Sequence, residues 1–290
     1  MSITRQNLSV VIVSYKSEYV IENCINSIDS EIEIIIIDNS NNDQFKKKIE
    51  TKYKNTKCIL SKENLGMGAG NNLGIKNVNK DFVLILNPDV TLEKNSMDEI
   101  FIALNEIDNF AIIAPISNKD KYPNYILKNG HNFDPVKPFK VKSVDGYAML
   151  LNLKRLSKMN NFNFFDENFF LYLENEDLCK RLSDNEEDIY IIPKSKIYHL
   201  GGKAVDQKYK EEIEHLRNWH WMWSKFYFNK KHYGYLIALS KVFKNLISAK
   251  IKFFYYLITF NNFKRKIYQM RLLGLISSML GKNSHYRPKI

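Results

Sequence analysis

Hydrophobic and polar positions alternate in blocks along the first two thirds of this chain. Leu8 to Val13 is a short, nearly continuous apolar run that stops at Ser14-Tyr15-Lys16. Val20, Ile21, Cys24, Ile25 and Ile28 then recur at helical spacing. An isoleucine run, Ile34 to Ile37, stops at Asp38-Asn39-Ser40. A polar helix is expected near 43–53 and a short strand near 57–60. A glycine-rich turn from Asn64 to Asn72 leads into a further helix. The run Asp81-Phe82-Val83-Leu84-Ile85-Leu86 ends at Asn87-Pro88-Asp89. Strands and helices alternating at these lengths predict an α/β domain with a mostly parallel sheet and helices on both faces.

The pattern loosens further on. Residues 95–108 read as helix and Ala111 to Ile116 as a strand. Residues 117–143 are polar, rich in Pro and Asn, and read as a loop over the site. Val144 to Leu151 resumes a strand. Asp166 to Arg181 reads as an aromatic stretch followed by an acidic helix. Tyr190 to Ile192 and Ile197 to Leu200 read as two short strands, and from about 206 the pattern is helical to the end. The expected division is therefore residues 1–205 as one α/β domain and 206–290 as a helical, basic C-terminal region that binds a membrane or dimerises.

Charge sharpens that division. The net charge is +11, yet no Asp or Glu follows Glu214, while lysines and arginines continue to the end. A slightly acidic body with a wholly basic tail predicts an anionic partner for the tail alone. The three cysteines, Cys24, Cys58 and Cys179, lack metal-ligand spacing and are odd in number, so reduced thiols in a cytosolic protein are expected. The chain enters its first strand almost at once, leaving no room for a targeting sequence. No apolar run reaches the length of a membrane span.

Two buried strands that end on carboxylates, Asp38 and Asp89, predict a site at the carboxyl edge of the sheet, where open α/β sheets bind ligands. Asp89, in a strand-end turn, suits a hard divalent cation shared with a diphosphate. His199 either offers an imidazole to the same metal or is structural. Asp38 can accept a hydrogen bond from the imide N–H of uracil or thymine; Asp-Asn-Ser is equally good turn chemistry. Glycines at 66, 68 and 70 permit close backbone approach but do not spell G-x-G-x-x-G, because Asn71 stands in the last place. In Glu174-Asn175-Glu176-Asp177, Glu174 and Asp177 share a helix face; they serve either as a general base or as partners of the helix dipole.

Taken in order, seven segments resemble a family 2 glycosyltransferase of the GT-A, Rossmann-like fold, closest to the bacterial rhamnosyltransferase-like subgroup. They are Val11 to Tyr15, Ile37 to Ser40, Asn64-Leu65-Gly66, Leu86 to Asp89, Asp145 to Leu150, Phe169 to Arg181 and His199 to Gly202. The resemblance spans about residues 8–205. It implies inverting transfer of a sugar, with rhamnose as a candidate, from a dTDP- or UDP-sugar to a glycan or polyprenyl-linked acceptor in surface-polysaccharide synthesis. It also implies that Val13, Ser14 and Tyr15 line the nucleotide pocket, that Asp38 reads the pyrimidine, and that Asn64 and Gly66 lie near nucleotide and sugar. Asp89 stands where the family binds Mn²⁺ or Mg²⁺, with Asn87 replacing the first Asp of a D-x-D, and His199 completes the metal site. Asp145, Gly146 and Tyr147 face the donor sugar or the acceptor.

One departure stands out. The family reads Glu-Asp-x-Asp-Leu in the acidic cluster, with its second residue as base, and Asn175 occupies that place here. An amide cannot take the acceptor proton. Glu174 is the first replacement, Asp177 the second and Glu176 the third; the alternative is a weak nucleotide-sugar-binding scaffold. In the tail, Val242, Phe243, Leu246, Ile247 and Ile251 fall near helical spacing among Lys241, Lys244, Lys250 and Lys252. This fits a helix lying on an anionic membrane at the inner, cytoplasmic face. It equally fits a stripe packed on the catalytic domain or on a second subunit in a homodimer. Nucleic acid is not expected as a partner, because no recognition signature accompanies the lysines and aromatics.

Overall fold

The computed structural model describes residues 3–117, 122–159, 162–202 and 204–287. By contact the chain forms two compact units. The first comprises Met1–Leu65, Ala69–Asp166 and Asn175–Asp206; the second comprises Gly66–Gly68, Glu167–Glu174 and Gln207–Ile290.

The first unit starts with the strongest apolar runs. These form β1 (Leu8–Ser14), α1 (Ile21–Asn26), β2 (Glu33–Asp38), α2 (Asp43–Lys52), β3 (Thr56–Leu60), α3 (Gly66–Ile75) and β4 (Phe82–Leu86). The order β3-β2-β1-β4 is parallel throughout. The runs are continuous rather than alternating because both sheet faces are covered. Val10, Ile12, Ile34, Ile36, Leu84 and Leu86 pack with residues of α1, α2 and α4 (Ser96–Glu106) in one cluster. On the opposite face Val11 and Val13 meet Gly74 and Gly70 of α3. A Cβ at Gly70 would lie 2.9 Å from Val13 Cγ1, and one at Gly74 closer still to Val11. The glycine-rich segment is therefore not a turn ahead of a helix: the helix begins at Gly66, and its glycines let it sit directly on β1.

Beyond β4 the strands are β5 (Val90–Leu92), β6 (Ile112–Ser117), β7 (Tyr125–Leu127), β8 (Phe139–Val144), β9 (Ala148–Asn152) and β10 (Ile189–His199). They extend the sheet in the order β4-β9-β6-β10-β8-β7, with β5 on β10. Only β6 and β10 are parallel here; β4–β9, β6–β9, β10–β8, β7–β8 and β5–β10 are antiparallel. The sheet is thus mixed rather than mostly parallel, because this half is built from strands that reverse without a crossover helix. Short α5 (Leu153–Leu156) follows β9, and α6 (Glu174–Asp184) precedes β10.

Three expectations change in this half. The expected loop 117–143 carries β7 and most of β8; its residues 118–121 lie outside the described residues. The expected strand 144–151 is broken by a turn at Asp145-Gly146-Tyr147. The two short strands near 190 and 197 are one strand, β10, whose pairing with β6 shifts between Ile192 and Lys196. Pro193 inside that stretch lacks the N–H a regular ladder needs, which is where a sequence reader sees a break.

The second unit consists mainly of α7 (Lys210–Tyr233), α8 (Tyr235–Ile258) and α9 (Asn262–Met279). Met222, Phe226, Ala238, Val242 and Leu275 form one core cluster, and Trp219, Trp223 and Met270 another. Glu211 and Glu212 open α7 and Lys230, Lys231 and His232 close it, each matching the sign of the helix dipole. Among the described residues no helix is long and apolar enough to cross a membrane.

Candidate active site

The parallel half fixes the first part of the site. Register pairs Ser14 with Asp38 and Ile12 with Leu86, so the carboxyl ends of β2, β1 and β4 lie side by side. Two strand spacings put the β2 and β4 ends roughly 10 Å apart. At the β2 end, Asp38 is buried, and its carboxylate accepts the backbone N–H of Ser40 at 3.1 Å and of Asn42 at 2.8 Å. Burial pushes its pKa up, and these hydrogen bonds work against that rise. Asp38 therefore does cap its turn; each oxygen keeps a further lone pair for another donor. Ser14, buried at the end of β1, accepts the Asn39 N–H at 2.8 Å through its carbonyl. Tyr15 follows it, its N–H donating to Ser17 Oγ at 3.3 Å. Asn39 in turn accepts from Ser61 Oγ and from the Leu65 N–H, which ties this edge to the half-buried Asn64.

The second part depends on the antiparallel pair β5–β10. Val90 faces His199 in register, and the Leu200 N–H donates to the Asp89 carbonyl at 3.1 Å. That pairing brings His199 Nε2 to 3.4 Å from Asp89 Oδ2. Tyr147 stacks on the His199 ring at 4.0 Å between centroids, and its carbonyl accepts the Asn87 N–H at 2.9 Å. Burial raises the Tyr147 phenol well above its usual range, the neighbouring Asp145 adding to it. Asp145 is itself raised by burial, an effect opposed by His199. So the structure brings Asn87, Asp89, Asp145, Tyr147 and His199 together, as the sequence had grouped only in part.

Two oxygens in this cluster lack partners. Asn87 Oδ1 and Asp89 Oδ1 are both sealed from solvent with no hydrogen bond. An orphaned buried acceptor costs on the order of 1–3 kcal/mol, more when charged, so a pair at one turn calls for a ligand. The donor set fits a hard divalent cation: a carboxylate oxygen, an amide oxygen and an imidazole nitrogen. The 3.4 Å between Asp89 and His199 is close to the roughly 3 Å expected for adjacent ligands of one octahedral ion. Among the described residues no three His, Cys, Asp or Glu side chains converge to hold a metal. A cation here would complete its shell with substrate or water oxygens.

The acidic cluster resolves into four different environments. Asp177 is fully buried and accepts Arg181 Nε at 2.8 Å, while Arg181 also donates to the carbonyls of Asn163 and Phe164. It serves as a structural anchor. Asn175 donates to the Val144 carbonyl at 2.8 Å, and its side chain packs against Gly146. Glu176 accepts Ser143 Oγ at 3.3 Å. Glu174 differs from all three: its Oε2 is sealed from solvent and has no partner. Burial alone pushes its pKa up to about 7.

The segment leading to Glu174 belongs to the second unit and is strained. Tyr172 and Leu173 are both left-handed, at φ 71 and 66. For bulky residues this conformation costs on the order of 1–3 kcal/mol each, and such strain gathers at functional sites. Packing holds it in place. Ser224 Oγ donates to the Leu171 carbonyl at 2.9 Å, Trp221 packs edge-on against Tyr172, and Phe170 is stacked on His220. Arg287 lies 3.8 Å over the Phe170 ring, and the Phe170 carbonyl accepts the Met67 N–H, beside Gly66. Sequence reasoning missed this strained pair and the Tyr147 stack. Neither leaves a local signal, since Tyr and Leu are not residues that mark a left-handed position.

Known proteins resemble this chain in sequence or in fold. Residues 9–173 match glycosyl transferase family 2, more than half of the chain. The low-salt glycan biosynthesis hexosyltransferase Agl10 of Haloferax volcanii is 28% identical over 219 residues, 69% of each chain. Among solved structures, the mannosyltransferase PcManGT from Pyrobaculum calidifontis, in complex with GDP-Man and Mn²⁺, aligns with 96% of this chain and 88% of its own. Its TM-score is 0.56 at 10% identity. GalNAc-T7 with UDP, GalNAc and Mn²⁺ aligns with 83% of this chain at a TM-score of 0.53 and 12% identity. The chain spans only 57% of that neighbour. At these identities the structural likeness carries the GT-A-like fold, whereas the family match carries the activity: the chain belongs to glycosyl transferase family 2 and is a glycosyltransferase.

Proposed function

We propose that this glycosyltransferase moves a hexose, with rhamnose as the candidate from the subgroup resemblance, from a nucleoside diphosphate to a glycan or polyprenyl-linked hydroxyl. The transfer inverts the anomeric configuration and serves surface-polysaccharide synthesis at the cytoplasmic face of the cell membrane. Residues 1–205 are assigned the chemistry and residues 206–290 association. The observation that carries the reading is the pair of orphaned oxygens, Asn87 Oδ1 and Asp89 Oδ1, in the cluster that holds His199. The hexosyltransferase name of the Haloferax relative supports the donor class, as do the nucleotides and Mn²⁺ of the structural neighbours.

In this mechanism Val13, Ser14 and Tyr15 line the base and ribose, and the Asp38 carboxylate accepts the imide N–H of uracil or thymine. Asn64 and Gly66 border the nucleotide and sugar. Asp89 and His199, with Asn87 beside them, would hold Mn²⁺ or Mg²⁺. Such a cation supplies charge neutralisation of the departing diphosphate. Asp145, Gly146 and Tyr147 border the sugar or acceptor. Tyr147 keeps the His199 ring in its plane by stacking on it. Glu174 removes the acceptor proton. A carboxyl whose pKa lies near 7 is balanced between holding a proton and accepting one at working pH. Asn175 cannot do this, and Asp177 is committed to Arg181. The rest is positioning and electrostatics.

The test is transfer by purified protein with Mn²⁺ or Mg²⁺ across UDP- and dTDP-sugars, dTDP-rhamnose included, beside Asp89→Ala. Metal-dependent turnover that disappears in the variant supports the reading. Turnover that survives a chelator or Asp89→Ala overturns it.

A further inference from the structure

The helix α8 presents an apolar stripe that nothing among the described residues covers. Its buried residues are Ala238, Val242 and Ala249. At about 100° per residue these three fall on one side of the helix. Leu236, Phe243, Ile247, Ile251, Phe254 and Ile258 are exposed. By the same count they fall within an arc of about 80° centred opposite the buried side. Ile251 is 63% exposed, Ile258 74% and Leu236 80%. Ser240 is the one polar residue in this arc, and exposed apolar area of this length marks an interaction surface rather than scattered surface residues.

Charge identifies what covers it. Lys250 projects along one border of the stripe and Lys244 along the other, by the same angular count. Phe243, Ile247 and Ile251 line one shallow groove with Lys244 and Lys252. These lysines are exposed. No carboxylate side chain exists anywhere after Glu214 to offset them. A second copy apposed on this stripe would set lysine against lysine with no acid between them, which like-charge repulsion opposes. Aliphatic residues dominate the stripe, and they offer bases no stacking platform. An apolar stripe bordered by a lysine on each side matches an anionic bilayer: side chains enter the acyl boundary while ammonium groups remain at the phosphates.

We propose that α8 lies along an anionic lipid surface through this stripe, with Phe260 and Phe263 extending the apolar contact past its end. The inference needs no activity and stands apart from the transfer reaction proposed above.

The experiment is flotation of the full chain with vesicles of phosphatidylcholine alone and of phosphatidylcholine mixed with phosphatidylglycerol. Binding to the mixed vesicles, weakened by salt, is expected, with little binding to the neutral ones. Ile251→Glu should abolish flotation. Lys244→Gln with Lys250→Gln should weaken it roughly 30-fold, about fivefold per lysine. Both changes lie on exposed positions, so melting temperature and donor turnover should be unchanged, and those readings separate failed docking from failed folding. Equal binding to both vesicle types, or binding that survives Ile251→Glu in a folded protein, overturns the proposal. So does a concentration-dependent dimer that Ile251→Glu dissociates, or oligonucleotide binding that outcompetes the vesicles.

Discussion

Isoleucines in two parts of this chain meet opposite fates. Ile34 to Ile37 of β2 are all buried, whereas Ile247, Ile251 and Ile258 of α8 face outward. The β2 run ends on Asp38, and the β4 run, on the far side of β1, stops three residues before Asp89. The α8 stripe is bordered by Lys244 and Lys250. Apolar content alone states only that a surface must leave water. The charges at its margin indicate what meets it: strand-end carboxylates suit a cation and a diphosphate, and flanking lysines suit anionic headgroups.

Four changes test that contrast, from the largest effect downward. Glu174→Gln should lower kcat by about 10²–10⁴-fold, because the only unpaired buried carboxylate of the acidic cluster is lost. The pH dependence follows in sign. A carboxylate base works ionised, and burial holds this one at about 7, so kcat/KM should climb through pH 7 in the native enzyme. Stability runs the other way: the folded pKa lies above the unfolded value, so stability is lost as pH rises from about 4.5 to about 7. Above pH 7 the Gln variant should melt higher than the native protein. A native profile that is flat between pH 6 and 8, an interval spanning about 7, would count against Glu174 as base.

Asp89→Asn should cost about 10²–10³-fold in transfer and leave vesicle flotation unchanged, which separates the acidic edge from the basic stripe. Ile36→Ala should destabilise the fold by about 2–5 kcal/mol in denaturant unfolding, since its site is closed on both sides. Ile251→Ala should stay within about 0.5 kcal/mol of native stability yet reduce flotation. If both isoleucine variants unfolded alike, the contrast between the two regions would collapse.

What the sequence made legible follows the same physics. β1, β2 and β4 were readable because burial on both faces writes a nearly unbroken apolar run, with β2 stopping at Asp38 and β4 three residues short of Asp89. The antiparallel half was not. β5 and β7 are three residues each, too short for periodicity. Val144 to Leu151 reads as one strand although its turn at Asp145-Gly146-Tyr147 supplies the Tyr147 stack on His199. Pairing of Asp89 with His199 rests on the β5–β10 register, a contact between residues far apart in the chain. Glycines at 66, 68 and 70 read as a turn because permissive backbone and the close helix packing that Gly70 provides use the same residue. The sequence ranked Glu174 ahead of Asp177 with no physical ground to separate them. The physical difference, an ion pair to Arg181 on one and a sealed, unpaired oxygen on the other, required the fold.

Calorimetric titration of UDP into the protein, with and without Mn²⁺, probes the acidic sheet edge most directly. Binding that requires Mn²⁺, is lost in Asp89→Asn and persists in Glu174→Gln is the expected result. Binding of equal strength without the cation, or undiminished in Asp89→Asn, would contradict the assignment of Asp89 and His199 to a cation-bridged diphosphate site.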